Sequence, residues 1–220
     1  MSVSDAGGAV RRAISLVELF EDGGKFRERP YRDQGGVWTI GTGLTRVNGV
    51  RVGPATPLIT PSADQSNVDA DIMYWLDAVD RLINVALSAT QAAALVSLAF
   101  NCGEAPLLSD GNVGRALNCG EYLRAADDFR SWNHVHGVVI DGLVIRREVE
   151  RLVFLGDLDP LDRSALLAAQ QKFYRAVKGD EAHAQLVGRA NAPTPGAGTS
   201  GLPACEPTAD ELMNIYNPGV

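Results

Sequence analysis

Apolar positions recur at helical spacing in several stretches of the chain, and alternate at strand spacing in only one short region. The spacing predicts a first helix from Arg11 to Asp22, with Ile14, Val17 and Glu21 on one stripe, Leu16 and Phe20 beside it, and Gly23-Gly24 as its stop. Gln34-Gly35-Gly36 reads as a turn into a short strand, Val37 to Ile40. Arg46 to Val52 reads as a hairpin around Asn48-Gly49, making a small antiparallel sheet of about three strands with 37–42. Thr60 and Pro61 are a cap and first residue for a long helix whose stripe runs through Val68, Ile72, Leu76 and Val79 to Ile83. Thr90 is read as the cap of a second helix, apolar almost all round and stopped by Gly103. A short helix near 113–118, one over Glu121 to Trp132, one from Asp141 to Leu155 and one from Leu161 to Val177 complete the periodic part. Residues 191–203 are rich in Pro, Gly, Ala, Thr and Ser and read as a linker, with two helical turns expected at Thr208 to Tyr216.

This pattern gives an α+β fold class, mainly helical, as two lobes: a small antiparallel sheet lobe and a larger helical lobe, with a cleft between them. A chain of 220 residues allows one main domain with something appended. The expected division is a domain over 1–156, a helical extension over 157–190 and a flexible tail over 191–220.

Charge narrows the partners. The net charge of −7 argues against nucleic acid, while residues 11–51, with eight basic and five acidic side chains, are relatively positive beside 52–110, with one basic and seven acidic. No apolar run spans a membrane, and Met1 to Val10 has no basic segment followed by an apolar block, so no secretory signal is visible. Cys102, Cys119 and Cys205 lack metal spacing and read as reduced thiols. His134 and His136 sit in an expected loop without an acid or Cys at ligand spacing, so neither a metal nor another cofactor is expected.

The candidate chemistry lies in residues 18–45. Glu21 continues an apolar stripe into the last turn of its helix, where the macrodipole and partial burial both disfavour a bare carboxylate. Asp33 and Thr39 bracket the Gly35-Gly36 turn. Two carboxylates in unlike surroundings suit glycoside hydrolysis, one as the acid and one acting on the opposite face of the sugar, and a hydroxyl could hold the water. Glu18 is a rival for the acid role.

Phe20-Glu21, Tyr31-Arg32-Asp33 and Gly36-Val37-Trp38-Thr39-Ile40-Gly41-Thr42-Gly43 together resemble the phage-type lysozymes, the T4 and lambdoid endolysins of glycoside hydrolase family 24. Ala-Phe-Asn-Cys-Gly at 99–103 and Gly-Leu-Val-Ile-Arg-Arg-Glu-Val-Glu-Arg at 142–151 resemble two further motifs of that family, in its order. The spacer between Glu21 and Asp33 is about three residues longer than the family's usual one, and Thr42 and Leu44 stand where an aromatic and a His are often found. The resemblance covers roughly 11–156. It implies Glu21, Asp33 and Thr39 as the catalytic set, and an Arg, Arg146 first and Arg147 second, pairing with the acid. It further implies a monomer that cuts peptidoglycan between N-acetylmuramic acid and N-acetylglucosamine. Such an enzyme would wait in the host cytoplasm and act on the wall or periplasm after release. A lytic transglycosylase, or a non-catalytic wall-binding or virion protein, remains the alternative.

Overall fold

The computed structural model describes residues 3–21, 26–33 and 36–179. Its elements run α1 (Val3–Glu21), β1 (Arg27–Arg32), β2 (Trp38–Gly41), β3 (Arg46–Val47), β4 (Val50–Arg51), α2 (Pro61–Leu82), α3 (Ala89–Cys102) and α4 (Asn112–Asn118). Then follow α5 (Tyr122–Asp128), a 3-10 turn (Phe129–Ser131), β5 (His134–Val135), β6 (Val138–Val139), α6 (Asp141–Leu155) and α7 (Arg163–Lys178).

Helix α3 is the axis of the helical lobe. Residues 92–99 are all buried, because α1, α2 and α6 pack on different sides of it. That is why its sequence shows no polar face. Its N-cap is Ser88 rather than Thr90: Ser88 Oγ accepts from Gln91 N at 3.2 Å, and Gln91 Oε1 accepts from Ser88 N at 2.9 Å. This reciprocal capping box satisfies two otherwise orphaned donors, which a Thr two residues later could not do. Helix α1 starts earlier than the apolar stripe suggested. Ala9, Ala13 and Leu16 are its fully buried positions, and the two alanines let it lie close to the alanine-rich α3.

The sheet lobe departs most from expectation. One three-stranded sheet was expected; there are two separate ribbons, β1–β2 and β3–β4, and an isolated bridge between Ile40 of β2 and Leu44 closes the turn between them. β1 is antiparallel to β2 with Tyr31 opposite Thr39 and Arg32 opposite Trp38. Arg-Glu-Arg-Pro-Tyr-Arg carries no alternating pattern, and a proline is tolerated in such a strand only at an edge. The β3–β4 hairpin turns at Asn48 (φ 52°) and Gly49 (φ 77°), the left-handed pair that an Asn-Gly turn needs.

Helix α2 begins as its sequence indicates, with Thr60 Oγ1 accepting from Ala63 N at 3.2 Å and Pro61 in the first turn. It joins the ribbons to the helical lobe. At its first turn the buried Asp64 carboxylate accepts from Thr42 N at 3.2 Å and Thr42 Oγ1 at 2.8 Å, fixing the turn that follows β2.

His134 and His136 belong to a short hairpin, β5–β6, rather than a loop. The expected helix over 121–132 divides into α5 and the 3-10 turn. Cys102 is free, but Cys119 is disulfide-bonded, against the expectation of reduced thiols throughout. Helix α7, capped by Asp162, buries Leu166 in the main core and Val177 against Val144 and Ile145 of α6. The Gly23-Gly24 stop and the linker and turns expected beyond 190 lie outside the described residues.

Candidate active site

Glu21 is the last residue of α1, so its side chain leaves the lobe where the helix ends. It stays about one-quarter exposed and is held from behind: Arg146 Nη1 donates to Glu21 Oε1 at 2.8 Å. Arg146 cannot swing away. Its Nε donates to Glu150 Oε1 at 3.0 Å, its Nη2 donates to Ser97 O at 3.2 Å, and its guanidinium lies 5.1 Å from the Phe20 ring centre. Burial works against the charge of Arg146, but Glu150 and Glu21 more than offset that and raise its pKa, so it is a fixed cation.

Arg147 lies behind this pair and does not reach Glu21. Its Nη2 donates to Asn101 Oδ1 at 3.1 Å and to Glu150 Oε1 at 3.1 Å, and Nη1 is 3.0 Å from Cys102 Sγ. Arg147 Nε is 2.8 Å from Glu150 Oε2, an ion contact whose angle falls short of a hydrogen bond. Ser97 Oγ completes the cluster by donating to Glu150 Oε1 at 2.6 Å. Two guanidiniums thus share the buried Glu150, and Glu21 is the member of the cluster nearest solvent. The fully buried Glu150, and Ser97 and Asn101 beside it, are site residues that the sequence reading missed. The Arg-Arg-Glu-Val-Glu spacing of α6 was the available signal, since Glu150 is i+4 from Arg146 and i+3 from Arg147.

A backbone feature shapes the other side of Glu21. Gly43 has φ 133°, and a Cβ there would overlap Glu21 Oε2. The turn held by Asp64 thus brings bare backbone against the acid.

Glu21 and Asp33 both line a cavity of about 1160 Å³, together with Phe20, Asn101, Trp132, His134, Asp141 and Arg146. Asp33 is exposed, and its position is set by the turn: Oδ1 accepts from Val37 N at 2.7 Å, and Asp33 N donates to Val37 O at 3.0 Å. Thr39 is not brought to the cavity wall. It is buried, and its hydroxyl donates to the same Val37 carbonyl at 3.2 Å. The rival acid Glu18 does not line the cavity either. Tyr31, opposite Thr39, has a phenol pKa raised first by burial, with Arg27 opposing and Glu21, Asp33 and Asp64 adding to it. It stays a neutral hydroxyl among carboxylates. A second cavity of about 380 Å³ shares Val37 and Asn101 with the first and runs between β3–β4 and α2.

A carboxyl group held at a helix end by one arginine, with a second carboxylate lining the same open cleft, can donate a proton to a bound ether oxygen while the other acts on water. The model of the phage lysozyme family matches residues 22–150, a span that begins immediately after Glu21 and includes both arginines. An endolysin of Bacillus phage B103 is 35% identical over 157 residues, 70% of this chain and 54% of that protein, so the chain spans about half that relative's length. A SAR-endolysin of Escherichia phage Mu is 33% identical over 127 residues, 57% of this chain and 70% of that protein. Among solved structures, the endolysin from Escherichia coli O157:H7 phage FAHEc1 has a TM-score of 0.55 at 27% identity, covering 66% of this chain and 94% of that one.

Proposed function

Because the chain belongs to the phage lysozyme family, we propose that it is a muramidase of the EC 3.2.1.17 type, hydrolysing the β-1,4 bond between N-acetylmuramic acid and N-acetylglucosamine in peptidoglycan. The observation that carries this reading is Glu21, clamped by Arg146 at 2.8 Å on one wall of a cleft that Asp33 also lines.

In this mechanism Glu21 gives its proton to the glycosidic oxygen as the bond breaks. Asp33 orients and deprotonates a water on the opposite face of the muramyl ring. Thr39, expected to hold that water, is buried off the cavity wall and instead bonds Val37 O, the carbonyl that also accepts from Asp33 N, so it steadies the turn that carries Asp33 and does not touch the water. The neutral phenol of Tyr31, beside Thr39, adds no competing charge. Attack from the face opposite the leaving group gives the inverted anomer. The chemistry calls for no cofactor, and the enzyme works as a monomer on the bacterial wall. No helix among the described residues is long and apolar enough to cross a membrane.

The test is loss of turbidity in outer-membrane-stripped Gram-negative cells, with mass analysis of the released muropeptides. Hydrolysed reducing ends are expected, and Glu21→Gln is expected to lose at least about two decades of rate while remaining folded, because an amide cannot supply the proton. Anhydro-muramyl products would replace hydrolysis by transglycosylation, and a fully active Glu21→Gln would remove Glu21 from the mechanism.

A further inference from the structure

The second cavity, of about 380 Å³, carries a charge arrangement that the proton transfers do not use. Arg46 of β3 and Arg51 of β4 are direct partners across the antiparallel pair, so both side chains leave the ribbon on one face. Both line the cavity. Like charges directly opposite each other weaken a ladder, and this one has two residues in each strand. Neither guanidinium is ion-paired with a described residue. Asp71 lines the same cavity, but burial there disfavours its charge, with Arg46 opposing, so it is an incomplete counterion. The sheet lobe therefore holds two cations together at a cost to its own pairing.

The walls between them and the helical lobe are aromatic: Trp38 from β2, Tyr74 and Trp75 from α2, and Phe100 from α3. Tyr74 and Trp75 meet edge to face at 4.9 Å, and the Arg46 guanidinium lies 5.8 Å from the Tyr74 ring centre, which restrains that cation. A small pocket with flat apolar walls and a few charged groups sorts ring compounds by the charge on their substituents. Guanidiniums suit carboxylates and phosphates, whose oxygens match their paired N–H donors. The cavity adjoins the catalytic one at Val37 and Asn101, so a strand lying across Glu21 can extend into it. Apart from its peptides, a wall glycan offers two kinds of oxyanion. One is the lactyl carboxylate of a muramyl residue, set free when an amidase hydrolyses the bond to the peptide. The other is a phosphate ester at a sugar hydroxyl.

We propose that Arg46 and Arg51 form an oxyanion-binding site that selects glycan strands carrying a carboxylate or a phosphate ester on a sugar away from the cleaved bond. The proposal rests on the muramidase reading above and adds charge selection to it. Arg46 and Arg51 are specificity residues, with no part in the proton transfers.

The test measures kcat/KM of wild type and Arg46→Gln/Arg51→Gln on two matched pairs of strands. In the first pair, glycan freed of peptide by an amidase is compared with the same glycan after its lactyl carboxylates are converted to methylamides. In the second, phosphate-bearing wall glycan is compared with the same material after hydrofluoric acid has removed its phosphate esters. Wild type is expected to favour the anionic member of at least one pair by about tenfold, the worth of one charge-assisted hydrogen bond, and the double variant to lose that preference. Loss in the first pair assigns the site to the carboxylate, and loss in the second to the phosphate ester. Folding is checked by the thermal transition; should the double variant fail to fold, Arg51→Gln alone, at an exposed position, decides on the same ratio. A wild type without preference for either anion, or a preference that survives the substitutions, overturns the proposal and leaves the muramidase reading standing. A wild type that cleaves none of these strands overturns both.

Discussion

Gly43→Ala isolates the placement of the acid from the stability of the fold. With φ 133° the position lies where an L side chain is strained, at about 1–3 kcal/mol. For a domain of this size that lowers Tm by about 2–4 °C per kcal/mol. The added Cβ would lie 3.2 Å from Glu21 Cδ and overlap Oε2. To recover ordinary van der Waals separation the carboxylate must retreat by roughly 1 Å. A displacement of that size in a catalytic group is worth about 10²-fold in rate. Gly49→Ala is the matched control, with φ 77° and nothing within 4 Å of the new Cβ, so it carries comparable strain without touching Glu21. Both variants should show a lowered Tm by calorimetry, but only Gly43→Ala should lose about two decades of kcat in the turbidity assay run below both transitions. If the two variants lose activity equally, or if Gly43→Ala keeps it, the close approach of backbone to the acid has no part in catalysis.

Three further outcomes follow from other parts of the molecule. Glu150→Ala would leave two buried guanidiniums without their shared carboxylate, and denaturant unfolding should record a loss of about 3–5 kcal/mol. Burial raises the pKa of Asp71 above its ordinary 3.8 despite the pull of Arg46. The folded state therefore holds that proton more tightly than the unfolded chain, and ionisation costs stability as the pH rises through the raised value. Asp71→Asn should raise Tm at neutral pH, with the gain fading to nothing below 3.8; an equal gain at both pH values would place the effect outside ionisation. Finally, the composition of 191–203 predicts that truncation after Arg189 keeps the specific activity, measured per folded protein; a drop with an unchanged Tm would give the tail a role in the cleft.

Elements governed by short-range signals were legible in the sequence. The Thr60-Pro61 start of α2 and the Asn48-Gly49 turn each depend on a few adjacent residues. The pairing of Arg146 with Glu21 came from the family's motifs and is present at 2.8 Å. β1 was not legible, because its place is set by pairing with β2 rather than by its own polar sequence. The Ser88 cap was hidden by a Thr90 equally suited in type, and only the position of Gln91 separates them. Thr39 is the instructive case: its motif was recognised, but nothing in a strand of four residues tells which way a hydroxyl is bonded. Glu150 was passed over because an Arg-Glu spacing on a helix is far more often an exposed ladder than a buried cluster, and burial depends on α1 and α3 arriving from elsewhere in the chain.

The charge cluster also bears on how the molecule assembles. Its members come from three helices widely separated along the chain: Glu21 ends α1, Ser97 and Asn101 belong to α3, and Arg146, Arg147 and Glu150 to α6. With any one helix undocked, charges or polar groups are left inside an apolar lobe without a partner, and such a form is disfavoured by several kcal/mol. Partly docked intermediates of the helical lobe are thereby depopulated, and the last hydrophobic contacts close together with the clamp on the acid. Active-site formation and the folding transition of this lobe are then a single cooperative event, so that regain of lytic activity during refolding should follow the same time course as burial of the core.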